Sequence, residues 1–381
     1  MNYTRGYKAS FYAVLIDPVS WMELDRIDVI SGSITNTESG LRQTARLTVR
    51  DFDQTQEHWL RIYMDARQDA NIDHVALFTG LAEAPSQDID APVITNDLEC
   101  YSVLEPINTP MIFGEYIPYG VNAGTAIKRL LKPTKAPVEI DPNTPIIQDY
   151  IIAEENKTNL TMIEKILKAV STDSVGWQMV IDGMGTIRVR PRPTKPALVV
   201  SAKGVDIIKS ELKVTHDWFK VPNVFKATSG DAVAVAKDEN PDSPYSTASR
   251  GREIVVTERD VTLAEDEGLA EYAKRRLAEE QQIAEIAEYP RRFMPGVYVG
   301  DIVRADYDVL NGDYEVTQQD ISFTHNGELQ EKVKRISKQV VNALDIEPKK
   351  TWSALVLPGD DYLIMPDGKK LVLPVKTIST N

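Results

Sequence analysis

The side chains best suited to chemistry are few in this chain and widely spaced. Four histidines stand at His58, His74, His216 and His325, and none has a second ligand at the spacing of an HExxH-type metal site. Isolated histidines of this kind read as structural or surface residues, because a metal needs several coordinating side chains brought together. The single cysteine, Cys100, excludes an internal disulfide framework and a multi-cysteine zinc site. It sits in the alternating run from Asp97 to Val103, which predicts a strand with a buried structural thiol. No GxSxG nucleophile motif occurs. The glycine-rich spots Gly183-Met184-Gly185 and Ser229-Gly230 match neither a phosphate-cradling loop nor a dinucleotide fingerprint. Acidic pairs such as Asp51 with Asp53, or Asp360 with Asp361, do not make a glycosidase, which needs two carboxyl groups flanking a bond and one raised pKa. With 57 acidic residues in the chain, solvated faces account for them. Trp21, Trp59, Trp177, Trp218 and Trp352 lie in separate segments and read as core or interface residues. No catalytic residue, cofactor-binding residue or metal ligand is assigned, and no cofactor is expected.

The elements that must position whatever the chain does are mostly strands. The 381 residues correspond to two or three domains at roughly 150 residues each. The apolar fraction of 42% and charged fraction of 26% are those of a folded soluble protein. There are 43 basic and 57 acidic residues, a net charge of −14 that runs against nucleic-acid binding through a basic face. The local run Arg188 to Lys195 (RVRPRPTK) reads as a solvated strand end. The N-terminus lacks an apolar core with a cleavage site, and no run reaches the roughly 18 apolar residues of a membrane helix. The expectation is a chain made in a cytoplasm and soluble there.

Residues 1–106 predict a first β-barrel half or domain, with strands around 8–16, 27–34, 45–50, 74–81 and 98–104. Residues 107–197 predict a small α+β insertion, with helices near 123–132 and 159–170. Its hairpin at 176–190 turns at Asp182-Gly183, where positive φ angles are expected. Residues 198–344 predict a second β-barrel domain carrying a long helix at 262–281, opened by a capping box at Thr262. The polar, Pro-containing stretch 238–251 is a long loop, and such loops often contact something. Residues 345–381 predict a C-terminal extension in which 362–365 and 370–373 pair as a hairpin. A lone hairpin is marginal in water, so this one is expected to dock on another surface. The fold class is therefore mainly β with an α+β insertion.

Three stretches, taken in order, resemble the hub family of phage baseplates and related contractile injection machines. One is the helix from Gly124-Thr125 to Leu131, followed by the helix that begins Thr158-Asn159-Leu160. Another is the hairpin from Trp177 to Pro191. The last runs from Asn223-Val224-Phe225 through Asn240-Pro241 and Ser249-Arg250-Gly251-Arg252 to Tyr272–Ala278, then Val299-Gly300-Asp301 and Gly312-Asp313-Tyr314. The resemblance covers about two thirds of the chain and implies two tube-protein-like β-barrels or sandwiches plus a small α+β domain. It further implies a homotrimer in the virion tail that joins a six-fold tube to a three-fold spike and lines the DNA channel. The implied partners are a tail tube or distal tail protein, a spike or tail-tip protein and the tape measure protein, with DNA passing transiently. A carboxylate-lined lumen that repels DNA would suit the acidic composition. The residues expected to meet partners are Tyr245, Arg250 and Arg252 in the loop, and Trp352, Leu355, Tyr362, Ile364, Leu371 and Leu373 in the extension. A distal tail or tube-terminating ring protein, and a tail-associated peptidoglycan hydrolase, are the alternatives.

Overall fold

Short alternating runs lay down eight strands in the first third of the chain. These are β1 (Lys8–Ile16), β2 (Glu23–Ile27), β3 (Val29–Thr37), β4 (Gln43–Arg50), β5 (His58–Gln68), β6 (Asn71–Ala82), β7 (Ser86–Asp88) and β8 (Thr95–Ser102). β4 shows the rule: Gln43, Ala45, Leu47 and Val49 are buried, while Arg46 and Arg50 face outward. The computed structural model describes residues 1–336 except 51, 53–55, 84–85, 89–94, 111–115, 153–156, 173–174, 202–206, 208–210, 217–218, 264–266, 282–284 and 308. Beyond residue 336 it describes the backbone of short strands alone.

The insertion holds β9 (Tyr116–Ile117), α1 (Ala123–Leu131), β10 (Val138–Ile140), β11 (Ile151–Ile152), α2 (Asn159–Ala169), β12 (Trp177–Ile181) and β13 (Ile187–Pro191). Both helices start where a side chain satisfies their free N–H groups. Thr125 N donates to Asn122 Oδ1 at 3.1 Å, and Thr158 and Thr161 form a reciprocal capping box. Their apolar faces share a core with β12, β13 and one face of β1 and β5. The β12–β13 turn differs from the expected Asp-Gly geometry. Gly185, not Gly183, carries the positive φ of 83°, and Gly185 N donates to Asp182 O. Gly183 is needed for space: a Cβ there would lie 1.9 Å from Ala76 O on β6.

The remaining strands are β14 (Pro196–Ser201), β15 (Lys213–His216), β16 (Val224–Ser229), β17 (Ala232–Lys237), β18 (Val255–Glu258), β19 (Glu285–Arg292), β20 (Ile302–Tyr307), β21 (Leu310–Ser322) and β22 (Glu328–Arg335). Between them lie α3 (Thr247–Arg250) and α4 (Leu269–Gln281). The long helix is thus shorter than the sequence predicts. Thr262 and Leu263 are not helical, and the rest of the expected capping box lies outside the described residues. The stretch expected as one second barrel holds two cores. β14, β15 and β19–β22 wrap one of them, while β16, β17 and α4 enclose the other.

One fourteen-stranded sheet runs β15-β19-β22-β21-β3-β4-β8-β6-β5-β1-β2, with β14, β20 and β7 branching from it. β21 is the hinge of this arrangement. Its first half pairs with β20, a bulge follows between Val316 and Gln318, and its second half pairs with β3 (Gln318 opposite Thr37, Ser322 opposite Ser33). A bulge bends and twists a strand, which lets one strand serve two lobes. A four-stranded sheet, β18-β16-β17-β23, recruits β23 (Asn342–Leu344). Further on, β24 (Trp352–Ala354) pairs with β27 (Val372–Pro374), and β25 (Val356–Leu357) with β26 (Asp361–Tyr362). The expected pairing of 362–365 with 370–373 is therefore replaced by two nested ribbons, which put Tyr362 and Leu373 on different ones.

Candidate partner-facing surfaces

The shared sheet presents one polar face across both lobes. From β8 to β15 the outward positions are Thr95, Asp97, Glu99 and Tyr101, then Thr44, Arg46, Thr48 and Arg50, then Ser31, Ser33, Thr35 and Thr37. They continue with Gln318, Asp320 and Ser322, then Glu328, Gln330, Lys332 and Lys334, then Glu288 and Arg292, then Lys213 and Thr215. The alternate positions, among them Leu98, Leu47, Ile34, Ile321, Leu329 and Tyr289, are buried. The outward side chains are cross-linked to one another. Arg46 meets Glu99 at 3.0 Å and Lys332 meets Glu288 at 3.3 Å, while Lys334 lies 3.4 Å from Glu315 and 3.6 Å from Glu38. Thr48 donates to Asp97 and Thr35 to Asp320, each at 2.7 Å. The exposed pairs among these, Arg46 with Glu99 and Lys332 with Glu288, add little stability. Their effect is on the field: bases and acids are interspersed, so the face carries no block of one sign. The expected carboxylate lining is not what this face offers.

A second surface is the knob formed by the 238–251 loop and its neighbours. The loop is not loose. Asp238 is fully buried and accepts from Ser243 Oγ (2.6 Å), Asn240 N (3.1 Å) and Gln281 Nε2 (3.1 Å). Asn223, also fully buried, donates to the carbonyls of Tyr245 (3.1 Å) and Arg252 (2.9 Å) and accepts from Ile254 N (2.7 Å). Of the residues expected to meet a partner, Tyr245 is only 8% exposed and packs on Val221. Arg250 lies over the Tyr245 ring and donates to Val221 O at 2.7 Å. Arg252 is exposed and stands 4.4 Å over the ring of Phe219, itself 73% exposed. The structure thus brings Tyr245, Arg250 and Arg252 together, with Tyr245 as support and Arg252 with Phe219 as the outer surface. Phe219 was not singled out from sequence; a bulky aromatic between Trp218 and Lys220 in a polar stretch was the available signal. The side chains of Trp352, Leu355, Tyr362, Ile364, Leu371 and Leu373 lie outside the described residues.

Among the described residues, the groups that could do chemistry form no catalytic cluster. Cys100 is buried, and burial pushes its thiol up to about 12, so it is no nucleophile near neutral pH. His74 Nδ1 sits 2.7 Å from Asp65, and the His58 ring packs edge-on against Phe52. The side chain of His216, and Asp51, Asp53 and Asp360, lie outside the described residues. Among the described residues no group of three His, Cys, Asp or Glu side chains is placed to hold a metal, and no helix is long and apolar enough to cross a membrane. The basic run after Arg188 is not a solvated end. Arg188 pairs with Glu139 (2.7 Å) and Asp182 (2.5 Å), Arg190 with Asp301 (2.7 Å), and Arg192 with Glu315 (2.7 Å) and Glu38 (3.1 Å). Arg188 braces the insertion internally, while Arg190 and Arg192 fasten it to the sheet lobes.

The sequence matches no protein-family model and no curated relative. Solved structures do share its fold. A tail protein from Neisseria meningitidis MC58 matches with a TM-score of 0.62 at 15% identity, over 87% of this chain and 97% of its own. The 43 kDa tail protein of prophage MuSo2 from Shewanella oneidensis matches with a TM-score of 0.61 at 12% identity, over 86% and 98%. A chain of the Francisella PdpA–VgrG complex matches with a TM-score of 0.53 at 9% identity, over 97% of this chain and 64% of its own. The chain therefore has the mainly β fold found in these proteins.

Proposed function

We propose that the chain is a non-enzymatic structural hub at the tip of a phage-type tail. Three copies close into a ring that adapts a six-fold tube to a three-fold spike, in the virion tail. A tail tube or distal tail protein sits on one side and a spike or tail-tip protein on the other, with the tape measure protein and then DNA passing through. The observation that carries this reading is the unbroken sheet through β3 and β21, which gives each copy two lobes behind one polar face. Its ends, β2 and β15, have no strand on their outer side among the described residues. Open edges of that kind favour head-to-tail association, and a closing rotation makes such contacts a ring. The likeness to tail proteins in fold supports the same reading. In it the polar face lines the channel, and DNA slides past because Arg46, Lys332 and Lys334 there already have carboxylate neighbours. The knob around Arg252 and Phe219 and the extension from Trp352 to Leu373 are where specific partners bind.

Native mass spectrometry and electron microscopy of the purified chain, alone and with its tail-tip partner, test this. A three-fold ring is the expected result. A six-fold ring would make the chain a distal tail or tube-terminating protein instead, and clearing of purified cell wall in a zymogram would make it a hydrolase.

A further inference from the structure

The insertion meets both lobes at a small, partly open cavity of about 30 Å³, a place independent of the assembly reading above. Its walls include Asn36 on β3, Arg42 and Gln43 at the start of β4, Ile181 on β12 and Gln319 on β21. Three buried polar atoms of these walls have no hydrogen-bond partner among the described residues: Asn36 Oδ1, Gln43 Oε1 and Arg42 Nε. The orientation of Gln43 is fixed, because its Nε2 donates to Ile181 O at 3.3 Å and only the amide nitrogen can do so. Arg42 is held with a φ of 62°, a backbone region that non-glycine residues rarely adopt. Its Nη1 donates to Glu38 O at 2.5 Å, so the guanidinium is tethered beside the cavity.

We infer that this cavity binds one ordered water molecule that ties the insertion to both lobes. Two acceptors and one donor match the hydrogen-bonding capacity of a single water: its hydrogens go to Asn36 Oδ1 and Gln43 Oε1, and it accepts from Arg42 Nε. The volume fits, since a water needs at least about 10–15 Å³ of such space. Charge excludes the other small occupants. A cation would sit against the Arg42 guanidinium, and an anion against two carbonyl-type oxygens.

The test is a crystal structure of the full chain at a resolution that shows individual waters. The expected result is one peak within roughly 2.7–3.2 Å of all three atoms. Gln43→Met, which keeps length and removes the amide, then loses that peak. The same variant loses one long-lived water in oxygen-17 relaxation dispersion of the protein in solution. A dry cavity in the wild-type map overturns the inference, as does an Asn36 side chain turned onto Gln43. Bromide replacing the peak with an anomalous signal overturns it too. If Gln43→Met does not fold, the wild-type map decides alone.

Discussion

Arg291 and Glu331 form an ion pair kept wholly inside, both side chains 0% exposed. Arg291 grips Glu331 through Nε at 2.8 Å and Nη2 at 2.6 Å, and Tyr289 and Gln319 each donate to the same carboxylate at 3.0 Å. Burial by itself would raise the Glu331 carboxyl, but Arg291 and these donors outweigh it and hold the group below its ordinary value of 4.5. A carboxylate depressed in this way stabilises the fold fully above that ordinary value. The contribution is then lost as pH falls through the lowered folded-state pKa. Glu331→Gln should therefore cost about 3–5 kcal/mol in urea unfolding at neutral pH, because Arg291 is left buried without its counter-charge. The difference from wild type should shrink as pH falls below 4.5 and through the lowered folded-state pKa, where the wild-type group becomes protonated too. Replacing both partners, Arg291→Met with Glu331→Leu, should cost less than either change alone. A double variant as unstable as the sum of the singles would mean the pair does not act as a unit. Strand alternation places Arg291 with Tyr289 and Ala287, and Glu331 with Leu329 and Val333, on inward faces. The pairing itself was invisible in sequence, because both side chains are of types usually found in water.

At the scale of elements, the 238–251 loop is ordered from beneath by Asn223, so its surface depends on a residue that no partner touches. Asn223→Ala removes three hydrogen bonds and leaves the Ile254 N–H and the Tyr245 and Arg252 carbonyls to find others. Each left unsatisfied costs about 1–3 kcal/mol. The expected outcome is local: limited proteolysis should cut between residues 238 and 251 in the variant, while the far-ultraviolet circular dichroism stays that of the wild type. Unchanged protection would show that Asp238 alone holds the loop. Legibility followed the same line between local and remote causes. α1, α2, β1 and β4 were readable because their signals, caps and alternation, lie within the element itself. β5 carries no such signal, because Arg61 and Asp65 interrupt its apolar run. Arg61 reaches Thr79 Oγ1 at 3.0 Å and Met184 O at 3.3 Å, since the insertion covers the second face of the strand. The helix begins at Leu269, later than the sequence predicts, because Thr262 with Glu265 has the composition of a capping box without being the helix start. The loop expected as a contact element is a folded module, held from within by Asp238 and Asn223, that supports the exposed Arg252 and Phe219.

For the whole molecule, the decisive feature pairs residues 33–37 with 318–322, and nothing local in either segment announces it. The sequence pattern supports two β regions; the seam makes them one sheet, and the polar face follows from the seam. That changes what the net charge of −14 can mean. In the proposed ring, an acid surplus located elsewhere would not act on DNA beyond a Debye length of about 8 Å at physiological salt, so a channel wall would itself have to be non-adhesive. On this face the means is pairing: Arg46 is beside Glu99, Lys332 beside Glu288, and Asp97 and Asp320 accept from threonines. Removing the acids while leaving the bases should turn the same surface into a phosphate binder. The variant Asp97→Lys, Glu99→Lys, Asp320→Lys, built into particles, should assemble normally, because all three positions are outward and none anchors a core. DNA release from triggered particles should then slow, and recover as salt is raised, with a slope of about −0.9 in log affinity per phosphate neutralised. Release at the wild-type rate from intact variant particles would mean that DNA never meets this face. The channel wall would then have to be sought on another surface of the ring.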